Sequence, residues 1–207
     1  MYYWVKTPQF VKRIFRKYQW HVATTQPTIF LTFDDGPHPT ATPFVLQCLQ
    51  QYNAKATFFC IGKNVALYPA IYEQIIAEGH KVGNHTYHHL NGWKVKQQRY
   101  IANVQQASNV IQSNLFRPPY GKITPSIFKA LRIKNPDIKV IMWDVLSADF
   151  DTKISTDACW LNVLNNTVAG SIIVLHDSTK AWPHMHIVLP KILAHFSALG
   201  YQFKAIE

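Results

Sequence analysis

Thr28-Ile29-Phe30-Leu31-Thr32-Phe33-Asp34-Asp35-Gly36-Pro37 runs from an apolar and β-branched stretch into two adjacent carboxylates and a turn. A run without polar alternation reads as a strand buried on both faces, the habit of parallel sheets covered by helices. Neighbouring strand residues point to opposite faces. Asp34 and Asp35 therefore share a site only if the chain leaves the strand there, as Gly36 and Pro37 force. Similar runs follow at 56–61, 81–85, 115–118, 139–145, 171–176 and 201–206. Between them, residues 41–52, 64–78, 95–113, 124–133, 155–168 and 186–199 carry apolar side chains at three- and four-residue intervals, with Gly79 and Gly200 as C-terminal stops. Strand and helix in regular succession imply parallel strands joined by right-handed crossovers. The expectation is an α/β fold, a distorted (β/α) barrel with about seven parallel strands.

At 207 residues and 48% hydrophobic content, the chain buries a core as one domain without disulfides. Cys48, Cys60 and Cys159 form no CxxC pair, which argues against a thiolate zinc site. The charge of +10 is uneven: no acidic residue precedes Asp34, whereas Lys6, Lys12, Arg13, Arg16 and Lys17 do. Within 8–18, Phe10, Val11, Ile14, Phe15 and Tyr18 share one helical face and the basic residues the other. The expected organisation is a basic amphipathic extension over 1–27, packed on the domain with its basic face in solvent, and a catalytic domain over 28–207. Peripheral contact of 8–18 with an anionic membrane is the alternative. No secretory signal or membrane-spanning run is seen, so the expected location is cytoplasmic or membrane-peripheral. No nucleic-acid motif accompanies the charge, and a monomer is favoured.

In folds of this kind the chemistry gathers at the carboxyl ends of the strands. Asp34 and Asp35, His85, Arg117, Asp144 and Asp149, and His176 with Asp177 each follow an apolar run, which places five polar clusters on one rim. One carboxylate and two imidazoles hold a divalent metal and leave coordination positions open, as a hydrolytic site requires. Zinc suits that donor set best; cobalt, nickel, manganese and iron also fit. His85 pairs by spacing with His88 or with His89, and spacing alone does not choose. Trp182, His184 and His186 are candidates to line a sugar cleft, Trp182 through its indole face.

Thr32-Phe33-Asp34-Asp35-Gly36, His85-Thr86-x-x-His89, Arg117-Pro118-Pro119-Tyr120-Gly121, the segment 143–150 and Leu175-His176-Asp177 resemble, in order, the five motifs of the polysaccharide deacetylases of carbohydrate esterase family 4, which include chitin and peptidoglycan deacetylases. The resemblance implies a metal-dependent hydrolase that removes N-acetyl groups from a glycan and releases acetate. It implies Asp34 as general base, Asp35, His85 and His89 as metal ligands, and Arg117 as the partner that keeps the base ionised. It further implies Tyr120 as the backbone donor to the oxyanion, His176 as general acid, Asp149 as the residue orienting it, and Leu175 as the wall of an acetyl-methyl pocket. The fourth motif departs from the family pattern, with Leu146 where Asp is frequent and Phe150 where Trp is frequent. Hydrolysis of another C–N bond on the same scaffold, or sugar binding without catalysis, are the rival readings.

Overall fold

The computed structural model describes residues 3–207. Its strands are β1 (Thr28–Asp34), β2 (Thr57–Cys60), β3 (Lys81–Asn84), β4 (Leu115–Phe116), β5 (Lys139–Val140), β6 (Val145–Leu146), β7 (Ile172–His176) and β8 (Gln202–Phe203). They pair in the order β5-β4-β3-β2-β1-β7-β6, every ladder parallel, with β8 added beside the start of β1. The sheet curls into an open barrel, as the alternation of strand and helix predicts. β1 lies at its centre and is buried along its whole length, which explains its lack of polar alternation.

The two faces of β1 divide the core. Ile29, Leu31 and Phe33 pack outward against the helices with Phe58, Ile173 and Leu175. Phe30 points into the barrel with Phe59, Leu115, Ile141 and Ile172. By strand alternation Thr32 and Asp34 share the inner face of Phe30, so Asp34 stands at the inner carboxyl end.

The helices are α1 (Gln9–Ile14), α2 (Ala41–Gln51), α3 (Gly62–Leu67), α4 (Pro69–Ala77), α5 (Gln97–Ser108), α6 (Pro125–Lys134), α7 (Thr156–Leu164) and α8 (Trp182–Ala198). The single helix expected over 64–78 is two, because Pro69 disfavours a helical conformation at Tyr68 and starts α4 itself. The strand expected over 139–145 is also two, β5 and β6, at opposite edges of the open sheet.

That break moves Asp144. It precedes β6 and donates its N–H to the Ile172 carbonyl at the start of β7, at the end of the barrel opposite the carboxyl rim. There it is buried and receives Lys12, Lys6 (2.7 Å) and the Ser171 hydroxyl (2.7 Å). Burial opposes its charge, yet these three donors hold its pKa below the usual carboxylate value.

The N-terminal segment is tied to both edge strands of the open sheet, β6 and β5. Leu146 N–H donates to Val5, Thr7 N–H to Asp144, Gln19 N–H to Val140 and Met142 N–H to Gln19, all through carbonyl oxygens. Lys12 thus turns toward the protein, and the apolar residues Phe10, Ile14 and Phe15 stay exposed. The expected orientation of this helix holds only in part: Arg13, Arg16 and Lys17 are exposed and Val11 and Tyr18 half-buried, but the buried carboxylate draws Lys12 inward and Phe10, Ile14 and Phe15 are left in solvent. No helix among the described residues is long and apolar enough to cross a membrane.

Candidate active site

Asp34 is the last residue of β1, and its ladder partner on β7 is His176. Directly after it the chain turns, with Asp35 at φ 83°. The turn is clamped from several sides. Asp35 N–H donates to Phe59 O (3.3 Å), Asn64 Nδ2 donates to Asp35 O (2.7 Å), and Gly36 N–H donates to an Asp177 carboxylate oxygen (2.9 Å). A Cβ at Gly36 would lie 2.1 Å from that carboxylate, so no larger residue fits.

The turn brings Asp35 to the imidazoles. One donor atom each from Asp35, His85 and His89 lie within 4.8 Å of one another. Asp35 Oδ1 is 3.2 Å from His89 Nε2 and 3.8 Å from His85 Nε2. It is also buried with no hydrogen-bond partner, a costly state for a carboxylate oxygen unless a cation is the intended neighbour. His85 Nδ1 lies 2.7 Å from the Arg117 carbonyl, which only accepts, so Nδ1 carries the hydrogen and the Nε2 lone pair faces Asp35. Burial lowers the His85 pKa to about 4 and pushes His89 down as well, leaving both rings neutral as ligands must be. The residues present therefore fit a divalent metal.

His88 is excluded from the cluster by Asn103. That amide donates to His88 Nδ1 (2.8 Å), and its oxygen accepts the His88 backbone N–H (2.9 Å). Thr86 at φ 64° and His89 at φ 54° bend the loop so that His85 and His89 meet, with ring centroids 5.0 Å apart.

Arg117 is wholly buried inside the barrel. Its Nε donates to Ile141 O, Nη2 to Met142 O, and Nη1 to both Thr32 Oγ1 and Asp34 Oδ1 (2.7 Å each), with the guanidinium 4.1 Å above the Phe59 ring. Burial alone would raise the Asp34 pKa. The charges of Arg117, His85 and His176, with the Arg117 hydrogen bond, overcome that penalty and keep it below the ordinary value.

His176 carries the opposite bias. Burial would lower its pKa, but the charge of the fully buried Asp149 and its hydrogen bond (Nδ1 to Oδ1, 2.7 Å) push it up to about 9. The second Asp149 oxygen accepts the His176 backbone N–H at 2.7 Å. Phe150 meets the imidazole edge-on at 5.2 Å. One carboxylate is thus kept ionised and one imidazole kept protonated on adjacent strands, the pairing that acid–base catalysis needs.

Five non-glycine residues with positive φ fall in these rim loops: Asp35, Thr86, His89, Tyr120 (60°) and Ala148 (62°). Each such conformation costs on the order of 1 kcal/mol, and their concentration here is the usual mark of a functional site. Tyr120 sits in the turn Pro119–Gly121 with its exposed ring 4.6 Å from His89.

Two expectations change. Leu175 faces outward into the helix-side core, so it is not a wall of the site; Val174 occupies the inner face shared with His176. Trp182 is engaged by packing, edge-on to Phe44 at 5.3 Å and stacked on His186 at 5.0 Å. His184 bonds Thr156 and is structural in the same way. Thr32, Asn103 and Asp177 support the site through neighbours distant in sequence; Thr32 and Asp177 fall within quoted motifs without an assigned role, and no local pattern marks Asn103.

An open α/β barrel gathering an Asp-His-His cluster between an ionised carboxylate and a protonated imidazole is the frame of a metal-assisted hydrolase. The polysaccharide deacetylase family model matches residues 21–135, and the chain belongs to that family. It is 33% identical over 194 residues to a peptidoglycan-N-acetylglucosamine deacetylase of Bacillus cereus, covering 91% of this chain and 90% of the relative. It is 34% identical over 165 residues to a chitooligosaccharide deacetylase of Azorhizobium caulinodans, covering 75% and 76%. The crystal structure of the peptidoglycan N-acetylglucosamine deacetylase Bc1960 superposes with a TM-score of 0.83 at 30% identity, over 97% of this chain and 95% of the other.

Proposed function

We propose that this protein removes N-acetyl groups from the N-acetylglucosamine residues of a glycan, peptidoglycan foremost, by metal-assisted hydrolysis. The observation that carries the reading is the orphaned Asp35 oxygen facing two neutral imidazoles, with Asp34 and His176 on either side. Asp35, His85 and His89 would hold the metal, and two imidazoles with a carboxylate suit zinc. When bound, the ion supplies Lewis-acid polarisation of the acetyl carbonyl and makes water more acidic.

The chain's own residues do the rest. Asp34, kept ionised by Arg117, takes a proton from the attacking water as oxygen bonds to the acetyl carbon. The backbone at Tyr120 supports the oxyanion. His176, kept protonated by Asp149, gives its Nε2 proton to the amide nitrogen as the C–N bond breaks, leaving acetate and an amine. Val174 lines the inner wall beside His176.

Residues 28–207 form the catalytic domain and 1–27 an extension, and the chain acts as a monomer. The exposed apolar side chains of α1 support peripheral contact of 8–18 with a membrane. Peptidoglycan fragments and chito-oligosaccharides are incubated with the zinc-, cobalt- or manganese-loaded protein, and acetate release is followed with the mass of the glycan. Loss of one acetyl group per modified sugar is the expected result. Acetate release from neither glycan with any of the metals would refute the reading.

A further inference from the structure

We propose that the end of the barrel opposite the active site is a docking face for an anionic lipid bilayer, which holds the catalytic mouth away from the membrane. This rests on the membrane contact proposed above and adds its chemistry and orientation.

The surface has two parts. Trp4, Phe10 and Ile14 are 58%, 57% and 68% exposed, and Phe15 is 44% exposed. Trp4 and Phe10 meet edge-on at 6.0 Å, and Phe10 and Ile14 are one helical turn apart, so the apolar groups are contiguous. Beside them Arg13, Arg16 and Lys17 project from the same segment, and Arg16 and Lys17 line a groove shared with Arg132 and Lys139. Among the described residues Arg13, Arg16, Lys17 and Arg132 pair with no carboxylate side chain, while Lys139 is held by the Glu207 main-chain oxygen (3.0 Å) and Asp137 is the one acidic residue lining the groove. Exposed aromatics and aliphatics bordered by unneutralised cations match an interface whose headgroups are negative and whose acyl region lies just beneath.

The surface is held rigidly, since Lys6 and Lys12 are spent on the buried Asp144 and fix the apolar side outward. Its placement gives the orientation. The segment runs antiparallel beside β6, from Tyr3 packed on Phe150 near the carboxyl rim to Thr7 bonded to Asp144 ahead of the strand. α1 follows at that far end with Lys12 on Asp144, whereas Asp34 and His176 lie at the carboxyl ends. β1 spans seven residues between the two levels, about 20 Å of barrel. A docked molecule therefore works on polymer standing off the membrane and not on a sugar carried at the lipid surface.

The test is flotation of the metal-loaded protein with vesicles of phosphatidylcholine alone or with added phosphatidylglycerol, at low and high salt. Deacetylation of a soluble chito-oligosaccharide is measured in the same samples. Binding is expected only to the anionic vesicles and is expected to weaken with salt. Replacing Arg13, Arg16 and Lys17 together by Gln should lower the partition coefficient about a hundredfold, from roughly fivefold per cation. F10S with I14S should lower it about tenfold or more. Turnover of the soluble substrate should be the same bound and free. Equal binding to neutral vesicles leaves membrane contact standing and overturns the charge selectivity. Inhibition on binding overturns the orientation. No binding to either vesicle overturns both, as does self-association that F10S with I14S abolishes. None of these outcomes depends on which glycan is the natural substrate.

Discussion

Asp149→Asn isolates the electrostatic half of the acid pair, because the amide keeps the size of the side chain and removes its charge. Burial lowers the His176 pKa, and the Asp149 charge and hydrogen bond more than reverse that, to about 9 from an ordinary 6.5. Without the charge, burial is opposed only by the lesser pull of Asp35 and Asp34, and the pKa falls back toward the ordinary 6.5, a change worth about 3 kcal/mol. General acid catalysis needs the protonated ring, so the alkaline limb of the pH–rate profile moves down with the pKa. At pH 8 about 90% of His176 is protonated in the parent and about 3% in the variant, so kcat/KM falls about 30-fold there and much less near pH 6. The assay is acetate release across the pH range. The same shift has a stability consequence. A group whose pKa is raised by folding contributes fully below its unfolded pKa, near 6.5, and loses that contribution as pH rises through about 9. The parent should therefore lose thermal stability across that window and the variant should not. An alkaline limb that stays in place in D149N would refute the assignment of His176 and Asp149 as the acid pair.

Further outcomes follow from single contacts. R117M leaves Asp34 buried without its counter-charge and should cost about 3–5 kcal/mol in denaturant unfolding, while a purely packing role predicts far less. On β7, L175A should destabilise by about 2–5 kcal/mol with turnover of the folded fraction unchanged, whereas V174F should depress kcat/KM with a small change in Tm; the reverse pattern would place the two faces wrongly. H88A should retain one equivalent of metal by elemental analysis after dialysis and H89A should lose it, because Asn103 occupies His88. D144A should cost about 2–4 kcal/mol by leaving Lys6 and Lys12 without their partner, with the catalytic parameters preserved at low temperature.

The alternation of apolar runs and helical patterns was enough to read an α/β barrel from the sequence, because β1, β2 and β7 are buried on both faces and carry no polar alternation. The rim residues at the ends of those strands were equally legible. What escaped depends on pairing between distant segments. Residues 139–145 form one apolar run, yet the chain crosses from one sheet edge to the other within it, which sends Asp144 to the far end of the barrel. Hydrophobic periodicity in 8–18 reports which residues share a face and cannot report that a buried carboxylate pulls Lys12 inward. Leu175 and Val174 are both apolar, and only the register with Phe33 and Thr32 shows which one flanks the site. His88 and His89 likewise differ by one amide on a helix fifteen residues away.

Asp34→Asn probes the central claim most directly, since it removes the proton acceptor and spares Asp35, His85 and His89. Metal content and acetate release are measured on the same sample. One equivalent of divalent metal with turnover lowered by about a thousandfold or more is the predicted result. Full turnover in D34N, or loss of the metal together with the activity, would contradict a site in which Asp35 binds the ion and Asp34 takes the proton.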